Sequence, residues 1–177
     1  MKAILSTIAA VALWASTAAA QDQAAPAPAE RCGTLPAPVA KMREDIRAAA
    51  VARDYGALVK LTAPSEFTYS FGDEAGDPAK YWKSVDAEGI DVRATIVGLL
   101  DMSCAVLEEE DAKEYVWPAA SEIAYAELTA EEKAALEKLY GGKVEDEYVE
   151  GTANGYYAGW RLYIDEDGHW TSFVEGD

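Results

Sequence analysis

The sequence predicts an α+β fold: one domain in which N-terminal helices pack on a small antiparallel sheet that ends in a C-terminal β-hairpin. Three observations carry this. Helical apolar spacing dominates the first half, from Val39 to Leu100, whereas β-prone runs gather near the C-terminus. Between them lies a helix with its own start and stop signals, Thr129 with Glu132 and then Gly141-Gly142. Helices early and strands late favour separate layers over alternating βαβ units.

The elements follow in chain order. Met1-Lys2, an apolar run from Ala3 to Ala15 and the small-residue site Ala18-x-Ala20 read as a secretory signal peptide, residues 1–20. Residues 21–38, rich in Ala and Pro, cannot bury much apolar surface and read as a flexible leader pinned at Cys32. Residues 39–177 are then a single domain. Pro38 opens a helix with Val39, Met42, Ile46 and Ala49 on one face. Asp54 caps a second helix carrying Tyr55, Leu58, Val59 and Leu61. The run 67–71 is β-prone, Asp77-Pro78 starts a short helix with Tyr81 and Trp82, and 91–102 is helical through Val92, Ile96, Leu99 and Leu100. The stretch 113–118 resembles an edge strand stopped by Pro118. The acidic run Glu108–Asp111 reads as a solvated loop. Residues 156–164 and 169–174 form the closing hairpin around Asp165–Gly168.

Charge and cysteines bound the function. The 177-residue chain carries −17 formally, and removal of residues 1–20 takes away only Lys2, leaving −18. Such a chain offers few cations to displace counterions from nucleic acid or anionic lipid, so no nucleic-acid partner is expected, and no membrane contact after signal cleavage. A basic partner is compatible with that charge. Cys32 and Cys104 are the two cysteines of an exported chain, and one intrachain disulfide is expected.

The familiar catalytic patterns are missing. There is no Gly-x-Ser-x-Gly, no Gly-x-Gly-x-x-Gly, and no Ser followed three places on by Lys. A single histidine, His169, rules out His-Glu-x-x-His and multi-histidine metal sites. Gly141-Gly142-Lys143 ends like a phosphate loop, but Glu137 and Val144 stand where Gly and Ser or Thr belong. No catalytic residue, metal ligand or cofactor is therefore assigned. The segment 165–170, Asp-Glu-Asp-Gly-His-Trp, fails as a calcium loop, because Tyr163 and Val174 fall where the first and last acidic ligands belong. It reads instead as a hairpin turn in which Gly168 supplies a positive φ. Among 32 acids, Glu122 beside Trp117 and Tyr125, and Glu66 before Phe67, are the carboxylates with apolar neighbours that a hydrolase pair would use.

Aromatics supply the candidate ligand-binding residues: Trp82, Trp117, Tyr156, Tyr157, Trp160 and Trp170. Sugars and partner proteins dock on exposed Tyr and Trp, although a sheet uses aromatics for its own core first. With an even connecting loop, Trp160, Leu162, Ile164, Thr171 and Phe173 share one face of the hairpin, and Tyr163, Trp170 and Val174 the other.

Asp77–Lys83 (Asp-Pro-x-x-Tyr-Trp-Lys), Tyr115–Pro118 (Tyr-Val-Trp-Pro) and Gly168–Asp177 (Gly-x-Trp-x-x-Phe-Val-x-Gly-Asp) together resemble an uncharacterised family of small secreted proteins of Gram-negative bacteria. The likeness spans most of residues 64–177. Where the family pattern has aromatics after the Pro, this chain has Ala119 and Ala120. The resemblance implies export and a single domain, and it transfers no functional residue. The expectation is thus an exported, periplasmic or secreted acidic module that binds an envelope component, a glycan or a basic protein, without catalysis. Two other classes stay open: an envelope glycan hydrolase using a carboxylate pair, and a calcium-stabilised structural protein.

Overall fold

The computed structural model describes residues 30–62, 67–70, 76–109, 112–142 and 157–176. Among the described residues, five helices and a five-stranded antiparallel sheet form a mixed α+β domain. In chain order the elements are β1 (Glu30–Arg31), α1 (Ala37–Val51), α2 (Tyr55–Leu61), α3 (Pro78–Ala87), α4 (Val92–Leu100), β2 (Ala105–Glu109), β3 (Ala112–Trp117), α5 (Ala130–Tyr140), β4 (Arg161–Asp165) and β5 (Trp170–Val174). Two 3₁₀ turns, Ala119–Ser121 and Tyr125–Glu127, link β3 to α5. The strands lie in sequence order across the sheet. The signal-peptide reading and residues 21–29 of the leader lie outside the described residues. Within residues 30–38 of that leader, Glu30–Arg31 form β1, which pairs with β2, and α1 begins at Ala37.

Local chemistry sets the helix ends. Asp54, Asp77 and Asp91 each accept a hydrogen bond at an N-cap, from Ala57 N, Ala79 N and Ala94 N. Thr129 and Glu132 form the expected capping box, and Gly141 ends α5 at φ 71°. Capping contributes about 1 kcal/mol per helix, because each bond satisfies a backbone N–H that has no partner inside the helix.

One face of the sheet carries the main core. Leu162 and Ile164 of β4, Trp170 and Phe173 of β5 and Trp117 of β3 pack under Val39 and Ile46 of α1, Leu58 of α2, Trp82 of α3 and Ile96 and Leu99 of α4. Trp82 stacks on Trp170 at 5.8 Å, and Trp160 on Phe173 at 4.6 Å. A smaller cluster on the other face joins Ala105, Val116, Ala119, Ala120, Ile123, Leu128, Leu136 and Tyr157.

Four expectations are corrected. The 113–118 segment is an interior strand, with β2 on one side and β4 on the other. Pro118 follows the strand, so its missing N–H costs the ladder nothing. Glu108 and Glu109 of the acidic run belong to β2, where Glu108 pairs with Lys113 across the hairpin; Glu110 and Asp111 lie outside the described residues. In the segment expected as a strand at 67–71, Thr68 makes an isolated parallel bridge to Ser172, and residue 71 is outside the described set. The hairpin faces also differ. Tyr163 pairs with Ser172 but Ile164 pairs with Trp170, so Thr171 is an extra residue in β5. This bulge turns Trp170 onto the core face beside Ile164 and turns Thr171 away, to donate to Glu114 Oε1 at 3.0 Å.

Cys32 and Cys104 stand at disulfide distance, with Cα atoms 5.3 Å apart and a sequence separation of 72. Closing such a loop stabilises the domain by about 4 kcal/mol in the chain-entropy description.

Candidate functional site

The sequence-predicted aromatics among the described residues do not form a surface. Trp82, Trp117, Tyr157, Trp160 and Trp170 are all buried, and Tyr156 lies outside the described residues. Large apolar rings fill the core first because burying each contributes several times what an exposed contact does. Glu66 is also outside the described set. His169 is exposed in the turn, where its Nδ1 lies 2.8 Å from Asp165 Oδ2 and its backbone N–H donates to Asp165 Oδ1 at 2.8 Å. Gly168 takes φ 86°, as the turn reading requires.

A groove of about 970 Å³ lies between the end of α1, the Gly89–Asp91 corner, α4 and α5. Two apolar side chains open onto it, Val51 at 59% and Ile90 at 38% relative exposure. They are the exposed large hydrophobics among the described residues. Gly98 of α4 forms part of the wall. A Cβ there would meet Leu139 Cδ1 at 2.9 Å, so glycine lets α5 approach α4 closely.

Several charges on the groove wall are arranged in pairs. Arg53 closes α1 at φ 57°, a left-handed conformation that costs a residue with a Cβ about 1 kcal/mol. Its Nη1 donates to Asp91 Oδ2 at 2.9 Å. Asp91 caps α4. Arg93, two residues on, donates from Nη2 to Asp86 Oδ2 at 2.7 Å. Asp86 also accepts from the Tyr55 hydroxyl at 2.8 Å and from Val92 N at 3.0 Å, and the Arg93 guanidinium lies 4.4 Å from the Tyr55 ring centre. Burial, then the Asp86 hydrogen bond, raises the Tyr55 pKa well above the phenol range. Asp101 receives two hydrogen bonds from Arg47.

These pairs fix the protonation of the wall. Burial works to raise the Asp91 pKa, but the Arg53 and Ala94 hydrogen bonds pull it below the ordinary carboxylate value. The Arg47 hydrogen bond does the same for Asp101. Both are ionised at neutral pH and neither is suited to donate a proton. Glu122 behaves oppositely: burial raises its pKa, with Ser121 and Arg161 partly offsetting. Tyr163 nearby is pushed up to about 12, mainly by burial. Glu122 does not line the groove.

Among the described residues, no group of three or more His, Cys, Asp and Glu side chains is placed to hold a metal ion. None of the described helices is long and apolar enough to cross a membrane. Of the sequence-predicted candidates only Trp160, itself buried, borders the groove; its exposed apolar residues and paired charges went unread in the sequence. The one local hint was Ile90, an apolar residue between the helix stop Gly89 and the helix cap Asp91. No protein-family model matches the chain, and no curated protein or solved structure matches it either.

Proposed function

We propose that the protein is an exported, non-catalytic binding module whose groove takes an apolar segment of a basic envelope protein. One observation carries the reading. The groove combines exposed Val51 and Ile90 with neutralised ion pairs, and Asp91 and Asp101 on its wall are held ionised by arginines. An apolar anchor ringed by paired charges is what a protein partner recognises. The chain's −17 charge adds long-range attraction for a basic partner. The signal-like residues 1–20 and the cysteine pair support export to an oxidising compartment, the periplasm or beyond. The resemblance to small secreted proteins points the same way. A glycan partner is less well supported, because the described candidate rings are in the core.

The second reading, a glycan hydrolase, rests on Glu122, whose raised pKa suits a general acid. A photo-crosslinking residue at Ile90 of the exported protein should give a discrete adduct with a basic protein, while one at Glu166 on the hairpin turn should not. Equal adducts at both positions, or none at Ile90, would remove the binding proposal. Release of soluble sugar from purified sacculi, abolished by Glu122→Gln, would replace it with the hydrolase.

A further inference from the structure

We infer that the Cys32–Cys104 bridge is a redox-dependent clamp on α5, and that Arg31 and Ser103 transmit it. Each cysteine is preceded by a residue that bonds Glu132. Arg31 donates from Nε to Glu132 Oε1 at 2.7 Å and from Nη2 to Oε2 at 2.8 Å, and Ser103 Oγ donates to Oε1 at 2.7 Å. Arg31 Nη2 also reaches the Glu127 carbonyl at 3.1 Å. Glu132 is the capping-box residue of α5, and its carboxylate accepts from Thr129 N at 2.8 Å. The bridge therefore sets two donors side by side at the start of this helix.

The helix needs that anchor. Leu136 is its one buried side chain. Its far end is held by Tyr140, whose hydroxyl accepts from Trp160 N at 2.8 Å and lies 2.5 Å from the Tyr157 hydroxyl. β1 is only two residues long, and Cys32 N donates to Cys104 O at 2.7 Å directly beside it. So short a strand has little hold on β2 without the covalent link. Because Lys138 and Leu139 form one wall of the groove, opening the bridge loosens that wall.

Opening takes two electrons and two protons, supplied by a dithiol that leaves as a disulfide. Its thiolate attacks Cys32 Sγ, the more exposed of the pair, and Cys104 leaves as a thiolate and is protonated. The second thiol of the reductant then displaces Cys32 as a free thiol. That the device controls ligand binding rests on the groove reading. The clamp itself does not.

Amide hydrogen exchange on the full exported chain tests it. Arg31→Ala keeps the bridge and should speed exchange of the amides from Lys133 to Leu139 about tenfold, with β4 and β5 unchanged. Arg31→Lys, which keeps the charge but loses the two-pronged contact, should fall between. Dithiothreitol should speed α5 exchange at least as much as Arg31→Ala. Unchanged α5 exchange in Arg31→Ala would overturn the clamp, and so would a rise shared equally by β4 and β5, which reports general destabilisation. Should reduction unfold the whole domain, Arg31→Ala decides the matter alone. Loss of the Ile90 adduct's specificity alongside the predicted α5 exchange would fault the groove and leave the clamp standing.

Discussion

The two faces of the sheet are built on different principles. Under α1–α4 the sheet presents Trp117, Leu162, Ile164, Trp170 and Phe173, and rings stack on rings. Towards α5 it presents Ala105 and Val116 beneath Ala119, Ala120 and Leu136. The first face buries large apolar area and holds itself together. The second buries less and relies on polar anchors: Glu132 at one end of α5, Tyr140 with Tyr157 and Trp160 at the other. Local stability follows buried apolar contact, so the α5 side is where movement and regulation are affordable.

The largest effect should come from the ring-rich face. Trp170→Ala should cost about 4 kcal/mol in urea unfolding, against about 2 kcal/mol for Leu136→Ala on the buried side of α5. Equal costs would break the contrast.

Gly168 links the turn to the ring-rich side. It combines φ 86° with a site where a Cβ would meet the Pro38 backbone carbon at 2.8 Å, at the start of α1. Gly168→Ala should therefore cost about 2 kcal/mol, from left-handed strain plus overlap with backbone. His169→Ala in the same turn should change stability by less than about 0.5 kcal/mol. Thermal melts of the two variants separate backbone geometry from side-chain contact.

Two glutamates sharpen the contrast on the α5 side. The Arg31 hydrogen bond, against a burial penalty, lowers the Glu132 pKa to about 2. A lowered carboxylate pKa stabilises the fold above the unfolded value and is lost as pH falls towards 2. Glu132→Gln should cost about 2 kcal/mol at pH 7, with the difference from wild type shrinking below pH 4.5. Glu122 has the opposite sign. Its raised pKa favours the protonated form in the fold, so it detracts from stability once pH exceeds the unfolded carboxylate value. Glu122→Gln should gain about 0.5 kcal/mol at pH 7 and nothing at pH 4. Urea titrations across that range check both slopes.

Features set by near neighbours in sequence were legible in it. Asp54 and Asp77 mark helix starts, Thr129 and Glu132 form a capping box, and Gly168 makes a turn, because each acts within four residues of itself. Features set across the sheet were not. The charges of Glu108 and Glu109 suggested solvent, yet a strand near the edge carries charge readily. Pro118 suggested an edge, although it lies just beyond β3. The bulge at Thr171 depends on pairing between strands, and it alone decides that Trp170 faces the core. The groove was least legible. Val51, Ile90 and Leu139 come from three separate segments, and no periodicity marks a side chain left outside by the meeting of helices.

The most direct test of a groove that binds without cleaving uses Val51→Asp with Ile90→Asp. Both side chains are exposed, so the double variant should melt within a few degrees of wild type. Each protein is immobilised and exposed to solubilised envelope extract at low and high salt. Wild type should retain one basic protein more strongly at low salt, and the double variant should lose it. Equal retention by the two proteins, or none by wild type, would contradict the groove as the recognition surface.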